Sequence, residues 1–197
     1  MKYDEHHVKT LVSNERKVRV YVWQKPGLTY SYKQTVPHDL SSQCHAIRVT
    51  GGGIVFHSPG DVVFSVTAAT DDRCFSGPIL KGKMRWISDT TQSMFKQLGI
   101  DVDPNHPEGN VLQNDFCSGY VNPYECHVNG QKVAAFTIRR YKTAFIIQGI
   151  IHVSSNKNTF DAFAQYHPFL TNGLSYACLD SMTVRDQLIQ VILNRLS

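Results

Sequence analysis

The chain has 197 residues, 42% of them hydrophobic and 18% charged, with a formal net charge of +4 and a pI near 8.8. That length suits one sizeable core, so residues 1–197 are expected to form a single domain with no C-terminal accessory domain. No stretch reaches the roughly 20 apolar residues of a membrane helix, the start lacks a signal peptide's apolar run, and Lys and Arg form no long run, which points to a soluble cytoplasmic protein without nucleic-acid or membrane partners.

The five cysteines (Cys44, Cys74, Cys117, Cys126 and Cys178) are odd in number, widely spaced and free of any CxxC pair. They argue against a disulfide framework and a zinc knuckle, so reduced thiols and no metal site are expected. The mild basic bias favours acidic partners such as an acyl carrier protein or a phosphate-bearing donor.

In chain order, residues 4–13 have the pattern of a short helix. Val18 to Trp23 alternate with a two-residue period and are rich in β-branched and aromatic residues, which predicts a strand, and Pro26-Gly27 predicts a turn. His45 to Val49 and Ile54 to Phe56 read as strands flanking three consecutive glycines, with Asp61 to Thr67 as a third. Met84 to Leu98 has helical spacing and ends at Gly99, a suitable cap. Tyr124 to Val128, Asn129-Gly130 and Lys132 to Ile138 carry the signature of a hairpin closed by a type I′ turn. Ala144 to Val153 predicts a buried strand, and residues 158–166 and 184–196 predict two closing helices. Strands in runs with helices between and after them predict an α+β fold.

Three segments have residues suited to chemistry. Gly51-Gly52-Gly53 lets backbone approach a ligand closely, with Arg48 and Thr50 beside it for charge and hydroxyl contacts, although a triple glycine is as often an idle turn. Lys132 follows a tight turn in an apolar strand, where an ammonium can polarise a carbonyl or simply face solvent. Cys117 lies in a polar, glycine-containing loop where a thiol can act as a nucleophile. His57 reads equally as a hydrogen-bonded, half-buried side chain.

Taken together these segments resemble a known family. Val18 to Gln34 resembles the opening strands of lipoate-protein ligases and octanoyltransferases, running through a Trp-x-x-Pro step to a Gln. Arg48 to His57 is similar to the Arg-x-Thr-Gly-Gly-Gly-x-Val-x-His loop of the biotin/lipoate protein ligase family, and Asn129-Gly-Gln-Lys132 to its Gly-x-Lys, with Arg140 and Gln148-Gly149 at matching distances. The resemblance implies a mixed sheet flanked by helices, like that of class II aminoacyl-tRNA synthetases and biotin synthetases. It further implies that Lys132 holds an acyl carbonyl and that Arg48, Thr50, Gly51, Gly52, Gly53, His57, Arg140, Gln148 and Gly149 bind substrate. One class of octanoyltransferase carries Cys-Phe, Tyr-Glu seven residues after the Cys, then Gly-x-Lys; Cys117, Tyr124-Glu125 and Gly130-Gln-Lys132 fall at that spacing.

The activity this implies is transfer of an octanoyl or lipoyl group from acyl carrier protein through a Cys117 thioester to a lysine of a lipoyl domain of a 2-oxoacid dehydrogenase, or of the glycine-cleavage carrier protein. No cofactor is expected for that reaction. An ATP-dependent lipoate ligase, using ATP and Mg to form an acyl-adenylate, is the alternative, followed by a non-catalytic binding module and biotin ligation. Ile47, Ala135, Phe136-Thr137, Gln148 and Ile150 depart from the family pattern. These departures are expected to weaken a phosphate- or adenylate-binding site, and Phe136 to narrow the acyl pocket.

Overall fold

The computed structural model describes residues 2–72, 79–104, 115–119, 122–157, 159–174 and 181–197. Its strands are β1 (Arg16–Val22), β2 (Gly27–Ser31), β3 (His45–Arg48), β4 (Val55–His57), β5 (Val62–Ala69), β6 (Cys126–Val128), β7 (Gln131–Arg140) and β8 (Ala144–Ile151). Its α-helices are α1 (Lys2–Thr10), α2 (Ile79–Gln97) and α3 (Ser181–Leu196). Five strands form an antiparallel sheet in the order β1-β5-β8-β7-β6, and three form a smaller sheet in the order β3-β2-β4. Only the smaller sheet is mixed, with β2 parallel to β3 and antiparallel to β4.

The period-two alternation of the large sheet divides it into two faces. On one, Val62, Phe64, Val66, Ile147, Ile151 and Ala134 pack with Ile87, Met94 and Phe95 of α2 and with Val184, Leu188, Ile192 and Leu196 of α3. The four α3 residues recur every fourth position, the stripe that a helix buries against a sheet. On the other face Val63, Ala135 and Ile150 meet Val55 of β4. Every position of β5 and β8 is buried because both faces are covered. The small sheet has its own outer core, in which Phe56 stacks on Phe116 and meets Phe160 edge to face, 5.6 and 4.8 Å between ring centroids, beside Leu28, Leu40 and Tyr166.

The strands at 18–23, 45–49, 54–56, 61–67 and 144–153 and the helices at 84–98 and 184–196 are present within a few residues of their expected bounds. Asn129 and Gly130 have φ of 51° and 72°, as a type I′ turn requires. Gly99, at φ 72°, ends α2, with the Ile100 amide donating to the Phe95 carbonyl. The glycines lie between β3 and β4 as expected, and β2 separates those strands in the sheet. One expectation changes. Of the helix expected at 158–166, residue 158 lies outside the described residues, and 159–162 form turns before a 3-10 helix at Ala164–Phe169 that contains Pro168. Proline supplies no amide donor and disfavours helical geometry before it, so the α-helical ladder does not propagate.

Gly149 stands between Phe64 and Phe136 in one cross-strand row, and a Cβ there would lie 2.3 Å from the Phe64 ring. Gly149→Ala is therefore expected to destabilise the fold by roughly 1–3 kcal/mol, the usual penalty of overpacking. A urea midpoint equal to that of the wild type would show that the ring is free to yield.

Candidate active site

A cavity of about 520 Å³ lies between the two sheets, within the roughly 300–1,000 Å³ typical of small-molecule sites. Tyr21, Val55, Val63, Ala135 and Ile150 give it an apolar wall, while Arg48, the three glycines, His57, Cys117 and Glu125 make its other wall polar. Alternation explains who faces it: in β4, Phe56 points to the outer core while Val55 and His57 point inward. Phe136 borders the cavity but shares the row of Phe64 and Gly149, and its ring centroid is 6.2 Å from that of Phe64 in the helix-side core. The expected narrowing by Phe136 thus does not follow from its side chain, and Ala135 is the residue that faces the apolar wall.

Each glycine of the loop answers a different constraint. Gly52 has φ of 89°, where a side chain is strained. Gly53 is crossed by the Cys117 segment, so that a Cβ would lie 2.5 Å from the Cys117 nitrogen. A Cβ on Gly51 would meet open space, so the described residues place no steric demand there. The Ile54 amide donates to the Asp115 carbonyl (2.6 Å) and the Cys117 amide to the Ile54 carbonyl (2.8 Å), closing a parallel bridge between loop and cysteine segment. Gln34 reinforces it by donating from Nε2 to the Asp115 carbonyl at 2.9 Å.

Arg48 is buried and turned inward. Its NH1 donates to the Thr29 carbonyl (2.8 Å) and hydroxyl (2.7 Å), and its NH2 to the Gly53 carbonyl and, at 3.4 Å, that of Gly51. The Thr29 hydroxyl, which accepts from Arg48, also shares a hydrogen bond with His57 Nε2 at 2.8 Å, in which the imidazole tautomer sets the donor. His57 Nδ1 is buried without a partner among the described residues. Trp23 stacks on the imidazole with centroids 4.2 Å apart. Burial, then the nearby His152 and Arg48, holds the His57 pKa well below 6.5.

Cys117 lines the cavity beside this cluster. Burial pushes its thiol pKa up, Lys132 opposes that, Glu125 adds to it, and Arg48 pulls it down. Lys132 Nζ donates to the Cys117 carbonyl and to Glu125 Oε1, each at 2.8 Å. Its side chain lines a separate cavity of about 20 Å³ that Cys117 also borders, and is not on the wall of the larger one. Burial raises the Glu125 carboxyl pKa although Lys132 opposes it.

The other expected residues separate. Gln148 and Gly149 line the cavity. Thr50 is buried and donates to Gln148 Oε1 at 2.6 Å. Arg140 is exposed at the end of β7, off the cavity wall, and its charge is felt by Lys83 of α2. Its neighbour Arg139 reaches the loop instead, donating to the Val49 carbonyl at 2.8 Å. Ile47 is 51% exposed, pointing away from the cluster that buries Arg48. Thr29, Gln34 and Glu125 join the site without an assigned part in the sequence reading. For Glu125 the Tyr-Glu spacing was a usable signal; for Thr29 only the pairing of β2 with β4 reveals it.

This fold, a large antiparallel sheet beside a small mixed one, is similar to that of solved lipoate-protein ligases. A crystal structure of lipoate-protein ligase A bound with ATP matches with a TM-score of 0.72 at 20% identity, covering 98% of this chain and 78% of that one. The protein Ta0514 of T. acidophilum with bound lipoic acid matches at 0.70 and 19%, with coverages of 98% and 78%. A bi-partite lipoate protein ligase of Thermoplasma acidophilum, studied with its E2 lipoyl domain, matches at 0.68 and 20%, covering 98% and 76%. At these identities the likeness concerns the fold. No curated protein sequence matches the chain. The family model for the lipoyl protein ligase A/B catalytic domain matches residues 1–170, and the chain belongs to that family. It is thus an enzyme of the lipoate ligase and transferase group.

Two measurements check this geometry. Gly51→Ala is expected to keep the wild-type melting temperature and Gly53→Ala to lose several degrees, because only the latter Cβ collides with backbone; equal melting temperatures would contradict it. For His57, the unfolded chain takes up a proton below its ordinary pKa of 6.5, whereas the folded protein does so only at much lower pH. The stability this confers is complete above 6.5 and is lost as pH falls from there towards the folded pKa. Thermal melts between about pH 7.5 and 5 are expected to show a shallower acid loss in His57→Gln than in the wild type. Parallel slopes would show that His57 is not the group responsible.

Proposed function

We propose that the protein transfers an octanoyl or lipoyl group to a lysine of a lipoyl domain or of the glycine-cleavage carrier protein, through a thioester on Cys117. The observation that carries this reading is the position of Cys117: it borders an apolar cavity at the polar wall, its backbone is fastened to the glycine loop, and two cations act on its thiol. The Cys117 sulfur attacks the carbonyl of the acyl thioester on acyl carrier protein, and the carrier's thiol leaves with the proton that Cys117 gives up. The acceptor lysine amine then attacks the Cys117 thioester, forming an amide and returning Cys117 to the thiol. Two easier steps replace one, without nucleotide. The backbone amides of the glycine loop bind the carbonyl oxygen in this reading. Lys132, held by Glu125 and the Cys117 carbonyl, acts through its charge on the sulfur, favouring the thiolate.

An ATP-dependent lipoate ligase is the second reading. It is favoured by the burial that keeps the Cys117 thiol protonated at rest, and by the likeness to a ligase solved with ATP. Here Arg48 and the glycine loop would face an acyl-adenylate made with ATP and Mg, and Cys117 would be incidental. Cytoplasmic residence suits either reaction, and a reducing environment keeps the Cys117 thiol available.

The test is intact mass of an apo lipoyl domain after incubation with the protein and octanoyl-carrier protein, with and without ATP. Transfer without ATP, an octanoyl adduct on the enzyme and loss of at least about a hundredfold in rate in Cys117→Ser are expected for a covalent nucleophile. Transfer only from free octanoate with ATP, undiminished in Cys117→Ser, would establish the ligase. No transfer in either case would leave a binding module.

A further inference from the structure

Asp4 is an acidic residue in α1, yet it is 1% exposed, an expensive position for a carboxylate unless its oxygens are satisfied. They are. Oδ1 accepts from the Ser65 hydroxyl at 2.9 Å and from Arg19 NH1 at 3.4 Å, and Oδ2 accepts from Gln148 Nε2 at 2.7 Å. A carboxylate can only accept, so the Gln148 amide is turned with its nitrogen towards α1 and its oxygen towards the glycine loop. There Oε1 accepts the Thr50 hydroxyl proton at 2.6 Å. Next in the same cross-strand row, Thr137 donates to the Gly51 carbonyl at 3.1 Å. One row, Arg19, Ser65, Gln148 and Thr137 on β1, β5, β8 and β7, thus grips α1 on one side and the glycine loop on the other.

We infer that Asp4 is a positioning residue for the acyl site: through Gln148 it fixes Thr50, and so sets the glycine loop in its binding geometry before a ligand arrives. The Gln148 amide is committed inside the protein at both ends, so it serves to place the loop although it lines the cavity. Helix α1 thereby becomes part of the site without touching ligand. The benefit is preorganisation, which appears as affinity because ordering the loop is no longer charged to binding. This inference rests on the acyl-cavity reading but not on the role of Cys117.

The test compares Asp4→Ala, Asp4→Asn, Thr50→Val and Thr50→Ser in the full chain, by hydrogen exchange of the amides of residues 50–53 and by steady-state kinetics with the octanoyl substrate. Asp4→Ala and Thr50→Val are each expected to speed exchange in the loop and raise KM about tenfold with kcat within about twofold, the effect of one or two buried hydrogen bonds. Asp4→Asn keeps an oxygen for Gln148 and Thr50→Ser keeps the hydroxyl, so both should restore near-wild-type values. The double variant Asp4→Ala/Thr50→Val should be no worse than the worse single one, because both cut one chain. Unchanged loop exchange in Asp4→Ala, or KM effects that multiply in the double variant, would overturn the inference. If Asp4→Ala does not fold, the Thr50 pair and Asp4→Asn decide it: equal exchange in Thr50→Val and Thr50→Ser would overturn it. If the wild type does not use the octanoyl substrate, the functional reading fails, and loop exchange alone decides whether Asp4 positions the loop.

Discussion

Two backbone hydrogen bonds, between Ile54 and the residues on either side of Phe116, join segments that are more than sixty residues apart in sequence. They bring the Cys117 segment to the glycine loop, and they form only because Gly53 has no side chain to keep that segment away. Much else follows from this junction. Phe116 is carried into the aromatic stack of the outer core, Cys117 is turned to the cavity, and its carbonyl is brought within reach of Lys132. The glycine that matters most to the architecture is therefore the one that serves another stretch of protein, whereas the one that leaves space open is Gly51.

A second constraint is electrostatic. Arg48, Lys132 and Glu125 are buried or nearly so, and such charges persist only when they are paired or hydrogen-bonded. Arg48 meets this demand on backbone carbonyls and Thr29, and Lys132 meets it on Glu125 and the Cys117 carbonyl. Both cations consequently stiffen the site, and their effect on the sulfur is exerted by field more than by contact. This agrees with the thiol remaining protonated at rest, since Glu125 offsets part of what Lys132 supplies.

Much of the fold was legible in the sequence because periodicity reports burial directly. The two-residue alternation of β1 and the fourfold spacing of α3 have no other simple cause. The Asn129-Gly130 turn was legible for a stereochemical reason, namely two adjacent positive φ angles. The expected helix at 158–166 misled because Phe160, Phe163 and Tyr166 recur at three-residue intervals to meet one another and the ring of Phe56 in the outer core, which produces helix-like spacing without an α-helix. At the site, residue type singled out Arg48, His57 and Cys117, but partnership did not follow from type. Arg139 and Arg140 look equivalent in sequence, and only strand parity sends one to the loop and the other towards α2. Asp4 and Thr29 were invisible for the same reason: their significance lies in pairings that are non-local.

The stack of Trp23 on His57 has an optical consequence. The chain has two tryptophans; Trp86 lies on α2 under Arg16, on the far side of the large sheet, while Trp23 is in face-to-face contact with an imidazole on the cavity wall. An indole in that position senses the charge and tilt of its neighbour. A ligand that engages the unpartnered His57 Nδ1 would alter the emission of Trp23 without touching it, so the protein carries an intrinsic reporter of cavity occupancy that needs no label.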